Sequence, residues 1–188
     1  MRLNRYNMHK KPLQIVVPDD DADSLFLTKR WITRRYGAAV KVRGISCIDE
    51  ASRVVRGLLE DDSDALLVSD VHMGNRNPRT YTRFFDAYRE TGRALPTILT
   101  TTVLSQRPPL NTSEPTHYHP REGETLRDVI TRTTPSHAQV LAIGRERDEL
   151  YAGIEAMVPD LAKRAEEISG EPLAYVTPLA TERQPYSR

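Results

Sequence analysis

The stretch ALLVSDVHMG, residues 65–74, decides the fold. Its first four residues form a continuous apolar run, and a serine then leads to an aspartate, Asp70. Strands whose apolar residues are continuous rather than alternating are covered on both faces, as in a parallel sheet between two layers of helices. This stretch therefore predicts a central parallel strand that carries an acid at its carboxyl end.

Similar segments lie on both sides of this stretch. Apolar or β-branched runs at 13–17, 39–47 and 96–101 predict three further strands, and helical patterns separate them. A fifth strand is predicted at 116–119, and a last helix around 126–130. Strands that alternate with helices through short connections predict a doubly wound α/β fold with a five-stranded parallel sheet.

The composition fits one globular domain with short appendages. The chain has 188 residues and a formal net charge of +1, so no bulk field attracts nucleic acid or anionic lipid. No run of the sequence reaches the roughly 20 apolar residues that a membrane helix needs. The one cysteine, Cys47, cannot form an internal disulfide. These features predict a reduced, cytoplasmic protein with no DNA partner and no membrane partner.

The chain divides into four predicted segments. Residues 1–11 hold four basic residues and no acid, which predicts a flexible basic arm. Residues 12–134 hold the predicted sheet, residues 136–170 a helical C-terminal extension, and residues 171–188 an extended tail with three prolines. Seven of nine successive heptad positions in the extension are apolar. That pattern predicts either a homodimer through 140–168 or a helix that packs back on the sheet.

Polar side chains follow three of the predicted strands. Asp19, Asp20 and Asp21 follow the first strand, Asp70 follows the third, and Thr101 ends the fourth. Ligands of such sheets bind at the carboxyl ends of the strands, so these side chains are expected in one crevice. Carboxylates that meet repel one another unless a cation or a proton intervenes, and Mg²⁺ prefers oxygen ligands. Which acid of the 19–21 run binds metal stays open, because at least one of them is expected to cap the following helix.

Four motifs in this order resemble those of response-regulator receiver domains, which have a flavodoxin-like sheet. The motifs are VVPDDD, VSDVHMG, PTILTTT and YHPREGETLRDVI, and the resemblance covers about residues 12–134. The first resembles the acidic start of the family, and the second resembles its phosphoacceptor motif. The third resembles the fourth strand of the family, and the last resembles its fifth strand and final helix.

The resemblance implies a phosphorelay role for the crevice. Asp70 would accept a phosphoryl group from a histidine kinase or a phosphotransfer protein. Asp19 and Asp20 would hold Mg²⁺ together with Asp70, and the backbone carbonyl of His72 would assist. The chain would then act as a signalling switch on a downstream protein partner rather than as a turnover enzyme.

Two further positions carry the switch in this family. Thr101 stands at the switch hydroxyl, which would reorient toward the phosphate, and His119 stands where the family has a lysine. Histidine is shorter than lysine and mostly neutral at pH 7. This departure leaves a second interpretation open, a pseudo-receiver that works as an interaction or dimerisation adaptor without phosphorylation.

A third, remote interpretation comes from the same motif. VSDVHMGN also resembles the opening segment of metallophosphoesterases, in which Asp70 and His72 would ligate a metal. Those hydrolases need further glycine-, asparagine- and histidine-containing metal segments downstream, and the sequence after Asn75 has none of them. The sequence therefore favours the phosphoacceptor switch.

Overall fold

The computed structural model describes residues 13–74, 79–108 and 115–169, with side chains described as far as residue 161. The strands in this part of the chain are β1 (Leu13–Pro18), β2 (Val40–Ile45), β3 (Ala65–Asp70), β4 (Thr97–Thr101) and β5 (Val140–Gly144). The helices are α1 (Ala22–Tyr36), α2 (Ile48–Glu60), α3 (Thr80–Thr91), α4 (Leu126–Thr133) and α5 (Arg147–Ser169). The predicted arm and tail, 1–11 and 171–188, lie outside the described residues.

The five strands form one sheet in the order β2-β1-β3-β4-β5. All neighbouring pairs are parallel, and Asp70 at the end of β3 lies opposite Thr100 of β4. Every residue of the central strand β3 is buried, as its continuous apolar run predicts. The predicted class, a doubly wound five-stranded parallel sheet of the flavodoxin-like kind, is confirmed.

The sheet separates two apolar cores. On one face, α2, α3 and α4 pack against the sheet, with aromatic residues of α3 such as Phe84 and Phe85 fully buried. On the other face, α1 and α5 pack against the side chains of β1 and β3 that point the opposite way, with Ile32 and Ile154 fully buried. The three inner strands β1, β3 and β4 are therefore covered on both sides, whereas the edge strands β2 and β5 keep exposed side chains.

Local signals explain where two of the helices begin. The Asp21 carboxylate accepts from the backbone N–H groups of Asp23 and Ser24 and caps α1. A reciprocal capping box begins α4, in which Thr125 and Asp128 each accept from the backbone N–H of the other. Asp21 is therefore the acid of the 19–21 run that serves the helix.

The predicted fifth strand at 116–119 is wrong. Residues Thr116–Tyr118 form a 3₁₀ turn between two prolines, with the Tyr118 side chain fully buried. The fifth strand is Val140–Gly144, which pairs in parallel with β4 along its whole length. The predicted helix around 126–130 exists, but it is the fourth of five helices rather than the last.

The predicted helical extension at 136–170 is also corrected, because its first part is β5 and only its second part, α5, is helical. The apolar heptad positions of α5 as far as residue 161 are buried in the core on the α1 side of the sheet, among them Leu150, Met157 and Leu161. These side chains therefore pack back on the sheet, and a homodimer through 140–168 stays a prediction. The sheet domain accordingly continues past residue 134 into α5.

None of the helices in the described residues is both long and apolar enough to span a membrane.

Candidate functional site

Three carboxylates meet at the carboxyl end of the sheet. Asp19 follows β1 directly, Asp20 is next in the chain, and Asp70 is the last residue of β3. Within the part of the chain that the structure describes, one carboxyl oxygen from each of them lies within 4.8 Å of the others. Asp19 and Asp70 are buried, and Asp20 is exposed. The convergence predicted from the strand ends is thus present for these three acids.

Two donors from the start of α1 hold the Asp19 side chain. The Ser24 hydroxyl donates to Oδ2 at 2.6 Å, and the Asp21 backbone N–H donates to Oδ1 at 2.9 Å. Because Asp21 itself caps α1, the helix start fixes the carboxylate of Asp19 at the crevice. The position of Asp19 therefore depends on the same short acidic run that begins the helix.

The loop after β3 holds the other two acids. The Gly74 backbone N–H donates to Asp20 Oδ2 at 2.7 Å, and the His72 backbone N–H donates to Asp70 Oδ1 at 3.3 Å. Gly74 has a φ of 80°, a left-handed conformation that glycine adopts without steric cost. This glycine lets the loop turn back toward Asp20, so that one short segment contacts two of the three acids.

The surroundings of Asp70 in the crevice make its carboxyl group a weaker acid than an exposed aspartate. Burial raises the pKa of the Asp70 carboxyl to about 6, and the nearby Asp19 and Asp20 carboxylates act in the same direction. The Arg145 guanidinium and the His72 N–H oppose this rise in the pKa. Asp70 is therefore a more basic carboxylate than an exposed aspartate.

Arg145 is the functional residue that sequence reasoning missed. It follows β5 directly, and its Nη2 lies 3.3 Å from Asp19 Oδ1 and 3.5 Å from Asp21 Oδ2. Its Nη1 lies 3.7 Å from Asp70 Oδ2. A signal was present in the sequence, because VLAIGR is a short apolar run that ends on a charge, as ALLVSD does.

His119 does not lie at a strand end, which corrects the prediction that it stands at the lysine position. It follows the Thr116–Tyr118 turn, and its carbonyl accepts from Arg132 Nη2 at 2.8 Å. Since β5 is Val140–Gly144, the position after the last strand belongs to Arg145. The crevice has a permanent cation, Arg145, where His119 was expected.

The predicted switch hydroxyl lies beside the crevice. A cavity of about 260 Å³ is lined by side chains from the strand ends and from the start of α5, and its lining includes Thr100 of β4 and Thr102, which follows that strand. Thr101 lies between them and is buried, and its hydroxyl oxygen accepts from the Val103 N–H at 3.3 Å. The threonine is therefore hydrogen-bonded to the loop that leaves β4.

The donor set fits a hard divalent cation. Asp19, Asp20 and Asp70 supply carboxylate oxygens, which Mg²⁺ prefers, and each of these carboxylates is oriented by a backbone N–H. The described group close enough to share an ion contains no histidine. A histidine-containing hydrolase centre therefore has no support here, and the role predicted for the His72 carbonyl remains a prediction.

Comparison with known proteins gives a likeness of fold. No protein-family model matches the sequence, and no curated protein matches it. One similar solved structure is a point mutant of the receiver domain of the histidine kinase CKI1 from Arabidopsis thaliana. It is 14% identical, the match covers 85% of this chain and 91% of that one, and the TM-score is 0.46. A likeness of this size concerns the fold, and no activity follows from it.

Proposed function

We propose that this chain is a divergent receiver-type signalling protein in which Asp70 accepts a phosphoryl group. The observation that supports the proposal is the position of Asp70. It ends the central strand, and its buried carboxylate lies within 4.8 Å of two other acids from a different strand end. Structural aspartates are seldom buried so close to like charges, whereas phosphoryl transfer through a divalent cation requires such a cluster.

The chemical step is a transfer between two nucleophiles. A carboxylate oxygen of Asp70 forms a bond to phosphorus while the bond from phosphorus to the donor histidine nitrogen breaks, and the nitrogen keeps its electron pair. The product is an acyl phosphate on Asp70. The raised pKa of Asp70, about 6, makes the nucleophile more basic than an exposed aspartate. One phosphoryl group per chain is expected, as for a switch rather than a turnover enzyme.

The acids would hold Mg²⁺ for this step. Asp19, Asp20 and Asp70 are the proposed ligands, with the His72 carbonyl as a further one. The cation would offset the negative charge that builds up between the carboxylates and the phosphoryl oxygens. The chain's own contribution is to orient the carboxylates, through the Ser24 hydroxyl on Asp19 and the Gly74 N–H on Asp20.

The proposed signal leaves the crevice through the segment after β4. The Thr101 hydroxyl accepts from the Val103 N–H, and the next residue, Leu104, accepts from the Arg127 N–H at 3.1 Å. The Leu126 N–H also donates to the Gln106 carbonyl at 3.1 Å. If the Thr101 hydroxyl turns toward a phosphoryl group, it releases the backbone N–H of Val103. Because the segment after Val103 is hydrogen-bonded directly to the start of α4, the change reaches that helix. A downstream protein would then recognise the changed surface at α4.

The test is the intact mass of the full chain after incubation with Mg²⁺ and a small phosphodonor such as phosphoramidate. We expect the mass of one phosphoryl group to be added, and no addition for Asp70→Asn. Asp62→Asn is the matched control, because Asp62 lies in the exposed turn after α2. A folded wild-type protein that gains no mass, or an Asp70→Asn variant that gains as much as wild type, contradicts the proposal.

A second candidate is favoured by one specific observation. The Arg145 guanidinium already pairs with Asp19 and lies 3.7 Å from Asp70, so part of the charge of the crevice is balanced without metal or phosphate. Such a site suits a pseudo-receiver that acts as an adaptor by protein contacts alone. This candidate predicts the same partner binding by wild type and Asp70→Asn, whereas the phosphoacceptor predicts binding that depends on the donor.

A further inference from the structure

The Arg145 guanidinium lies where a bound divalent cation would exert its charge. It approaches two of the three proposed ligands, Asp19 at 3.3 Å and Asp70 at 3.7 Å, from the β5 side of the crevice. Its two terminal nitrogens are divided between them, Nη2 toward Asp19 and Nη1 toward Asp70. In the part of the chain that the structure describes, this guanidinium is the cation paired with those two acids.

The turn that carries Arg145 is fixed, but the side chain is not enclosed. The Gly144 N–H donates to Glu149 Oε2 at 3.0 Å, which ties the end of β5 to the first turn of α5. A Cβ at position 144 would lie 2.7 Å from that oxygen, so a larger residue there would displace the Glu149 carboxylate. The Arg145 side chain itself keeps 30% of its surface exposed. It can therefore leave the carboxylates for solvent without unfolding the turn.

A guanidinium and a divalent cation stabilise the same carboxylates by the same charge. When one is close, the negative potential that attracts the other is reduced, and the two free energies of binding are coupled. Arginine adds a directional fork of donors that a hydrated cation must displace. A cation that enters between Asp19 and Asp70 consequently has to compete with a group that belongs to the protein.

We propose that Arg145 is a built-in competitor of the divalent cation, so that the crevice exchanges an internal counter-ion for Mg²⁺. The inference rests on the proposed function, because it assigns Mg²⁺ to Asp19, Asp20 and Asp70. It adds a regulatory element to that function. In the metal-free protein Arg145 holds the acids together, and metal binding releases its side chain toward solvent at the surface between β5 and α5.

The experiment is a titration of the full chain with MgCl₂ at constant ionic strength, followed by amide NMR. The reporters are the His72 and Gly74 N–H groups, which donate to Asp70 and Asp20. We expect Arg145→Gln to bind Mg²⁺ at least about tenfold more tightly than wild type, because a positive charge within 4 Å of two ligands has been removed. Arg145→Lys keeps a point charge without the fork, and should bind about threefold more tightly.

Arg147→Gln is the matched control. Arg147 lines the same cavity two residues further on, and the substitution removes the same charge. We expect it to tighten Mg²⁺ binding by less than about twofold, since a more distant charge in solvent is screened. An unchanged or weaker affinity in Arg145→Gln overturns the inference, as does an equal gain in Arg147→Gln, which would show a general field effect. Arg145→Lys decides the question if Arg145→Gln does not fold: no gain in affinity overturns the inference.

Failure of this inference is distinguishable from failure of the proposed function. If wild type gains a phosphoryl group but Arg145→Gln binds Mg²⁺ no more tightly, only the competition is wrong. If Arg145→Gln gains affinity but no donor modifies Asp70, the competition stands and the phosphoacceptor is wrong. If no variant binds Mg²⁺, the competition is overturned together with the metal site.

Discussion

Two polar regions among the described residues are built in opposite ways. The acid crevice brings like charges together at the strand ends, and one arginine, Arg145, partly balances them. The second region, called here the Tyr118 clamp, consists of the Thr116–Tyr118 turn and three arginines that donate to it, Arg79, Arg89 and Arg132. The crevice has more negative charge than its own residues balance, whereas the clamp pairs most of its polar groups.

The contacts of the clamp show this pairing. Arg79 Nη1 donates to the Tyr118 carbonyl at 2.6 Å, and Arg132 Nη1 donates to the His117 carbonyl at 2.8 Å. The Tyr118 hydroxyl accepts from Arg89 Nη1 at 2.6 Å and lies 2.8 Å from Asp86 Oδ1. The turn thereby joins α3 to the last turn of α4 with its aromatic ring in the core.

The two regions differ in what their polar groups do: those of the clamp stabilise the fold, whereas those of the crevice favour the binding of a ligand. A buried polar group that is paired stabilises one conformation, whereas buried like charges favour whatever ligand can neutralise them. The clamp should therefore lose stability when it is altered, and the crevice should gain stability when a charge is removed. The predictions below test that contrast, beginning with the largest effect.

Truncation of the clamp at its centre is expected to have the largest effect. Tyr118→Ala removes a fully buried ring and should lower the free energy of unfolding by about 3–5 kcal/mol, as for other large aromatic truncations. Tyr118→Phe keeps the ring and loses the hydroxyl contacts, and should cost only about 1–2 kcal/mol. Urea denaturation followed by circular dichroism measures both. A loss under about 1 kcal/mol in Tyr118→Ala would show that the turn does not hold the core.

The stability of the sheet domain is predicted to depend on the packing of α5. Ile154 is fully buried against the sheet, so Ile154→Ala should cost about 2–4 kcal/mol in the same denaturation experiment. Leu141 on the edge strand β5 is 37% exposed, and Leu141→Ala is the matched truncation with an expected loss of about 1 kcal/mol or less. Equal small losses would indicate that α5 is an appendage, as the sequence first predicted.

A pair of isosteric substitutions contrasts the two regions directly. Asp70→Asn removes a buried charge beside two like charges and should raise the stability of the metal-free protein by about 1–2 kcal/mol. Asp86→Asn weakens the charge-assisted contact with Tyr118 and should lower stability by about 1 kcal/mol. Denaturation in EDTA at pH 7 measures both. If both substitutions change the free energy of unfolding in the same direction, the two regions do not differ in this way.

The smallest predicted effect is a pH dependence beside the clamp. The Arg132 guanidinium, together with the Arg121 N–H, lowers the pKa of the Glu124 carboxyl to about 2. A lowered folded-state pKa contributes stability that is present above the unfolded pKa of about 4.5 and is lost as the pH falls toward 2. Unfolding curves between pH 2 and 7 should thus be less pH-dependent for Glu124→Gln than for wild type. Parallel curves would show that this ion pair adds no stability.

The parts of the crevice that the sequence predicted have local signals. The β1 and β3 strands end on acids that come directly after apolar runs, so their meeting follows from the parallel order of the strands alone. Which acid of the 19–21 run caps the helix stayed open in the sequence, and the structure assigns that role to Asp21. The meeting of the acids at the strand ends needs no knowledge of a distant residue.

The parts that the sequence did not predict are segments that fit more than one pattern of secondary structure. Val140 and Ile143 of β5 also fit the heptad spacing of the helix that follows, so a short strand was assigned to a helix. The Thr116–Tyr118 turn was assigned to a strand, although its tyrosine is buried as a single anchor. Arg145 was missed for the same reason, since its place at the crevice, 126 positions from Asp19, follows only from the correct strand.

The most direct test of the central claim is an amide NMR comparison of the full chain in Mg²⁺ with and without beryllofluoride, a phosphoryl mimic that needs no kinase. The account predicts shifts at Asp70, Thr101, residues 103–106 and the start of α4, and their disappearance in Asp70→Asn. A folded protein whose crevice amides respond to Mg²⁺ but not to beryllofluoride would contradict the claim that Asp70 is a phosphoacceptor, and would leave the phosphorylation-independent adaptor in its place.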